Sequence, residues 1–497
     1  MRKNSHCRAY VGYKIYKTFL KNASKHFATF ATSSTTCSLP FIMKIATINP
    51  YTNQVEARFT QHRWRQIDQI LRQAEAGFAV NRNSAMPLRS KRLNALADLL
   101  DARKQDYAQL ITLEMGKPIS ESIAEIEKCA WVCRYYAENA KHFLRDDMLK
   151  TDYNLSLITH QPLGVVLAIM PWNFPFWQVF RFAAAAIMAG NAVVLKHAPN
   201  VPQCAAALEQ LFTDAHFPDG LFQNIYLENS KVHWLIEEAR IQAITFTGSA
   251  ATGAKVAEMA GRHLKKMVLE LGGSDPFIVL DDAPLRDAAY VGTQSRMLNA
   301  GQSCIAAKRF IVTEAIAPNF LRLMAQEIQA LRVGDPQDPN TQIGPLARPD
   351  LVLNLERQVR ESLRLGAQIV VGGSRQMNHV GNYYYPTLLT NCKRGMPVFD
   401  EETFGPVAAV AVVKNLQEAI ALANDTPYGL GASVWTNDTD RAMRIALQIQ
   451  SGFVSINGMV KSDPRLPFGG IKQSGYGREL GEYGIREFVN TKTIVRP

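Results

Sequence analysis

Between Val165 and Phe246 short apolar runs alternate with stretches of helical periodicity, and this rhythm restricts the possible folds more than anything else in the chain. The runs are Val165 to Met170, Val193 to Lys196, Phe222 to Leu227 and Ile241 to Phe246; helical patterns at Trp177 to Ala189, Cys204 to Ala215 and Val232 to Ala239 separate them. Short apolar strands linked by crossover helices predict a parallel, doubly wound α/β sheet. Right-handed crossovers would bring the strand ends Met170, Lys196 and Phe246 to one edge, where such sheets take their ligands.

A second alternating series runs through Phe277 to Leu280, Phe310 to Thr313, Ile369 to Val371, Val407 to Val413, Ala432 to Trp435 and Phe453 to Ile456, with helical patterns at Leu416 to Asn424 and Arg441 to Gln450. It predicts a second α/β domain, and 497 residues accommodate two domains with attachments. Ahead of both series, Gln66 to Val80, Ser90 to Gly116 and Ile119 to Ala140 carry apolar residues at helical spacing and predict scaffold helices. Lys150 to His160 alternates polar and apolar residues like a half-exposed hairpin, a natural place for subunit contact.

The net charge of +11 is lopsided, because residues 1–42 hold seven Lys or Arg and no Asp or Glu. The remainder mixes both signs without a basic run, which argues against a nucleic-acid partner. The basic segment reads either as a mitochondrial-type transit segment, implying the matrix, or as an extension upstream of a working start at Met43, and it is excluded from the fold. The longest apolar candidate, Leu163 to Phe180, is broken by Pro171, Asn173 and Pro175, so no membrane span is expected. Seven scattered cysteines, an odd number, suit free thiols in a reducing compartment such as the cytoplasm.

Several segments could carry chemistry. Cys304 follows the small-residue turn Asn299-Ala300-Gly301-Gln302-Ser303 and precedes the strand Lys308 to Thr313, so a loop can present its thiolate to a pocket; a buried core thiol is the other reading. Pro171 to Pro175 ends a strand and opens a helix, leaving the Asn173 amide on a constrained loop, where it can donate to a developing oxyanion or satisfy local backbone. Glu270 sits in an apolar run before Gly272 and Gly273. Burial would raise its pKa toward that of a general base, unless a salt bridge holds it.

Gly248 and Ser249, followed by Gly253, join a strand end to a helix start, so backbone N–H groups and the helix dipole can meet a phosphate, although a ligand-free turn would look the same. Lys196 ends a buried strand and can donate to cofactor hydroxyls or reach solvent. Glu402 stands beside Phe404 in a turn, usable for a ribose diol. The glycine-rich stretch Pro467 to Glu479 predicts a long ordered loop.

Pro171 to Pro175, Phe246 to Gly253, Leu269 to Gly273, Gly301 to Cys304, Glu402 to Val407 and Pro467 to Glu479, in this order, resemble the aldehyde dehydrogenase superfamily from about Asn49 to Val495. Lys196 to Asn200 and Ser462 to Arg465 resemble more closely its bacterial succinate semialdehyde dehydrogenases. The resemblance implies a Rossmann-type NAD(P)-binding domain over residues 44–144 and 164–270 and a catalytic domain over 271–483. It further implies oligomerisation segments at 145–163 and 484–497, joining a homodimer or homotetramer.

It also implies roles. Cys304 is the nucleophile that forms a thiohemiacetal and then a thioester, Asn173 and the Cys304 N–H hold the oxyanion, and Glu270 activates water. Lys196 and Glu402 hold the riboses, Trp172 and Ser249 lie by the pyrophosphate, Phe404 packs against the nicotinamide side, and Gly248, Gly253 and Leu271 are further cofactor contacts; no metal is implied. Arg181 and Ser462 match positions that bind the carboxylate of succinate semialdehyde. The arginine that some relatives carry five residues before the nucleophile is Asn299 here, so Arg465 is the compensating candidate, or the enzyme accepts several aldehydes. Relatives that select NAD often place Glu three residues after the lysine; Pro199 stands there, so the cofactor is NAD or NADP. An acylating dehydrogenase that passes its thioester to coenzyme A is the alternative, but such relatives usually lack the acid at Glu270.

Overall fold

The strand rhythm becomes two mostly parallel sheets. The computed structural model describes residues 44–376 and 380–497, and the expected extension over residues 1–43 lies outside them. In the six-stranded sheet the order is Gly475–Tyr476, Lys266–Glu270, Ile241–Thr247, Val165–Met170, Ala192–His197 and Phe222–Asn224. All pairs are parallel except that of Gly475–Tyr476 with Lys266–Glu270. Ile169 lies opposite both Lys196 and Phe246, so the three expected strand ends do share one edge.

The seven-stranded sheet runs Gln368–Val371, Thr387–Thr390, Val407–Val413, Ala307–Thr313, Asp275–Val279, Gly431–Trp435 and Phe453–Ile456, with only the first strand antiparallel. Thr387–Thr390 and Lys266–Glu270 were not expected as strands. Both are short, and the first is bounded by Pro386 and Asn391, which leaves little period to read.

Burial follows from the covering helices. Every residue of Val165–Met170 and Ala192–His197 is buried. The helix Trp177–Met188 is buried along its whole length, as its apolar composition requires of a helix enclosed on all sides. Helix Ile119–Phe143 packs on it and on Met86–Ala102. The periodicity of Ser90 to Gly116 continues across what is in fact a corner: helices Met86–Ala102 and Lys104–Met115 part at Arg103. No Gly or Pro breaks the chain there. Instead the Arg103 guanidinium reaches Asp214 at 2.5 Å, a tertiary contact that local spacing cannot reveal.

The expected hairpin is part of a three-stranded antiparallel sheet in which Leu155–Pro162 pairs with Asp147–Met148 on one side and Val489–Arg496 on the other. Val489–Arg496 is exposed from Asn490 onward. Among the described residues no helix is long and apolar enough to cross a membrane.

Candidate active site

Cys304 closes a loop that the chain could not adopt cheaply. Asn299, Ala300 and Gly301 take φ of 55°, 50° and 74°, three successive left-handed residues of which two carry a Cβ. Each non-glycine residue there costs roughly 1–2 kcal/mol, and such strain persists only where surrounding contacts impose it. Those contacts are present. Asn299 Nδ2 donates to the Asn173 and Gln302 carbonyls at 2.8 and 3.2 Å, and its N–H donates to Glu121 at 2.8 Å. Lys308 Nζ donates to the Ser303 and Cys304 carbonyls at 2.9 and 2.8 Å. Arg296, fully buried, donates to the carbonyls of Val407, Thr403, Gly301 and Gly405.

Asn173 Nδ2 donates to the Gln302 carbonyl at 3.1 Å, so the amide and the Cys304 loop are laced together. An amide has a second N–H to offer. Burial pushes the Cys304 thiol up to about 12, against the pull of Arg181 and Lys308.

On the facing wall Glu270 ends its strand, 2% exposed, and its Oε1 is shielded without a hydrogen-bond partner. Burial raises its carboxyl well above the ordinary range, Arg181 opposes that rise, and Glu479 adds to it. The approach to this carboxylate is built from glycine: a Cβ at Gly469, whose φ is 154°, would come within 2.7 Å of Glu270 Oε1. Arg181 and Glu479 form an ion pair on which neither side chain is more than 2% exposed. Thr245 donates to Glu479 and Arg181 to Thr247, both at 3.4 Å.

Cys304, Arg181 and Ser462 line one cavity of about 710 Å³, together with Lys128, Gln178 and Phe468. Burial brings the Lys128 ammonium down to about 8, with Arg181 adding to the fall. Arg465 is not among the lining residues. Its side chain is 65% exposed, it pairs with Asp463 at 2.7 Å, and it lies over Trp131, so exposure and a bound carboxylate both keep it from the compensating position expected of it.

The residues expected to meet a dinucleotide gather along the strand edge. Ser249 caps the helix Ala250–Arg262 by accepting from the Thr252 N–H. A Cβ at Gly253 would collide with Leu271, and one at Gly248 would lie 2.6 Å from the Phe246 ring. Trp172 and Phe404 meet edge to face at 5.7 Å. Lys196 is buried, donates to Asn229, and is brought down to about 8 by burial. The Glu402 carboxylate accepts the Gly273 N–H at 3.0 Å and lies 3.8 Å from Lys308. Beside this edge both amide atoms of Asn200 are shielded without a hydrogen-bond partner. Helix N–H groups, a buried ammonium, a carboxylate and an unsatisfied amide fit a phosphate and hydroxyl-rich cofactor.

Sequence reading missed Lys308, Arg296, Glu121 and Lys128. Lys308 had a signal, one of two adjacent cations opening an apolar strand. Lys128 had only its place on a helix with Glu121 and Glu125, which a solvated face would equally explain.

Comparisons with known proteins agree with this geometry. Residues 42–494 match the Aldehyde dehydrogenase family. A protein of Synechocystis sp. named probable NADP(+) succinate-semialdehyde dehydrogenase is 51% identical over 91% of this chain and 99% of its own length. The NADP(+) succinate-semialdehyde dehydrogenase 1 of Mycobacterium bovis is 46% identical over 91% of this chain and 99% of that one. The crystal structure of succinic semialdehyde dehydrogenase from Streptococcus pyogenes in complex with NADP+ superposes with a TM-score of 0.89 at 37% identity, covering 91% of this chain and 100% of that one.

Proposed function

This chain belongs to the aldehyde dehydrogenase family, and we propose that it oxidises succinate semialdehyde to succinate with NADP. The observation that carries the reading is Cys304 lining a cavity that also holds the cations Arg181 and Lys128, close to the raised carboxyl of Glu270. Named relatives at 46–51% identity support the substrate, and Pro199 in place of a carboxylate removes a repulsion toward a 2′-phosphate.

At rest the thiol is protonated, because burial holds it near 12, so attack needs a base. Glu270, with one oxygen free, takes the thiol proton as sulfur adds to the aldehyde carbon. The thiohemiacetal oxyanion accepts from Asn173 Nδ2 and the Cys304 N–H. Trp172, Lys196, Gly248, Ser249, Gly253, Leu271, Glu402 and Phe404 hold the nicotinamide cofactor, which when bound supplies the hydride acceptor. Glu270 releases the first proton to solvent and then takes one from the water that attacks the thioester; that proton passes to the departing sulfur, restoring the thiol, and the acid product loses its own proton to leave as carboxylate. The aldehyde and one water thus give a carboxylate, with two electrons removed as hydride.

Residues 44–144 and 164–270 serve as the cofactor domain and 271–483 as the catalytic domain. Segments 145–163 and 484–497 serve as oligomerisation segments in a homodimer or homotetramer. The exposed Ile494 and Val495 on the strand Val489–Arg496 support that assignment. The five free cysteines among the described residues suit the cytoplasm.

NADPH formation from succinate semialdehyde by the wild type and by Cys304→Ala tests the reading. The variant should lose at least about 10⁴-fold in kcat, as expected when a covalent nucleophile is removed. Full turnover by Cys304→Ala sinks the mechanism.

A further inference from the structure

Three cations line the cavity in front of Cys304, Arg181, Lys128 and the solvent-exposed Lys461, and the two less exposed ones differ in how fully their charge is already answered. Arg181 is ion-paired with Glu479 and interacts with Glu270 as well. Lys128, on the helix Ile119–Phe143, has neutral partners: its ammonium donates to the Ser462 hydroxyl at 2.8 Å and lies 4.4 Å from the Trp177 ring centroid. Among the described residues no carboxylate lies within ion-pairing distance of it.

The neighbouring acids are committed elsewhere. Asp463 is gripped by Arg465 through two hydrogen bonds of 2.9 and 2.7 Å. Glu125 is paired with Lys117 and accepts the Phe176 and Trp177 N–H groups at 2.9 and 3.0 Å. Asn299, where an arginine could have stood, spends its amide on the Asn173 and Gln302 carbonyls.

A half-buried ammonium with only neutral partners is costly, and an arriving anion would offset that cost. The geometry is suited to one. Lys128 uses one of its three N–H donors on Ser462, and Ser462, accepting there, keeps its O–H to donate. Two ammonium N–H groups and one hydroxyl are what a carboxylate would accept from.

We propose that Lys128, acting with Ser462, is the anchor for the substrate's distal carboxylate, while Arg181 is chiefly occupied by Glu479 and Glu270. This rests on the reading that the substrate is a carboxylated aldehyde.

The test is steady-state kinetics of the wild type, Lys128→Met and Lys128→Arg with succinate semialdehyde and with propanal. Removing a charge-assisted contact should raise KM for succinate semialdehyde about 10- to 100-fold in Lys128→Met, well beyond any change for propanal, with kcat altered far less. Lys128→Arg should recover most of the loss, since it keeps the charge. A wild type that prefers succinate semialdehyde and a Lys128→Met variant that keeps the full preference overturn the anchor alone. Equal kcat/KM for both aldehydes in the wild type overturns the substrate reading and the anchor together. Should Lys128→Met fail to fold, Lys128→Gln is measured in the same way, with the same outcomes deciding.

Discussion

Two walls meet at Cys304, and they use buried charge in opposite ways. On the side of the six-stranded sheet, charges face charges: Arg181 is paired with Glu479 and acts on Glu270. On the side of the seven-stranded sheet, cations mainly hold carbonyls: Lys308 holds Ser303 and Cys304, with Glu402 farther off at 3.8 Å, and Arg296 holds four backbone oxygens. The difference teaches what each wall is for. Opposed charges set protonation and hence proton transfer, whereas cations on carbonyls fix backbone that would otherwise relax from its left-handed turn.

The strongest way to break this contrast is at Glu270. Glu270→Gln keeps the shape but cannot take a proton, so kcat should fall about 10²- to 10⁴-fold with little change in thermal unfolding. A variant that keeps near wild-type turnover would show that the first wall is not catalytic.

On the other wall, Arg296→Met should act mainly on stability. Orphaning several buried carbonyls costs about 3 kcal/mol or more, readable as a lower midpoint in urea unfolding. An unchanged midpoint would mean that the loop does not depend on the cation.

The finest test uses the pH profile with propanal, which has no distal carboxylate. With Glu270 as the proposed base, activity should rise with pH through that group's pKa. Arg181 lowers this pKa and Glu479 raises it. Arg181→Met should therefore move the acid limb of kcat/KM to higher pH and Glu479→Gln to lower pH. Shifts of the same sign in both variants would count against a charge-on-charge wall.

Local chemistry made much of the site legible. Cys304 after Gly301-Gln302, Asn173 between Pro171 and Pro175, and Gly248-Ser249 at a strand end each carry their signal within a few residues. Of the supporting residues, only Lys308 carried one. Asn299 could be noticed only as a missing arginine, yet its amide ties the Cys304 loop to Asn173. Arg465 looked available because a sequence does not show that Asp463 occupies it or that it lies at the surface. The corner at Arg103 hid inside one helical period for the same reason.

What the chain determined by itself was the order of strands and helices, the two α/β series and the reactive side chains, because periodicity and turn chemistry arise between neighbours in sequence. Which cation is neutralised and which is left for a substrate was decided only by folding. Arg181 and Glu479 come from distant parts of the chain, as do Lys128 and Ser462, and buried charge takes its meaning from the groups packed around it.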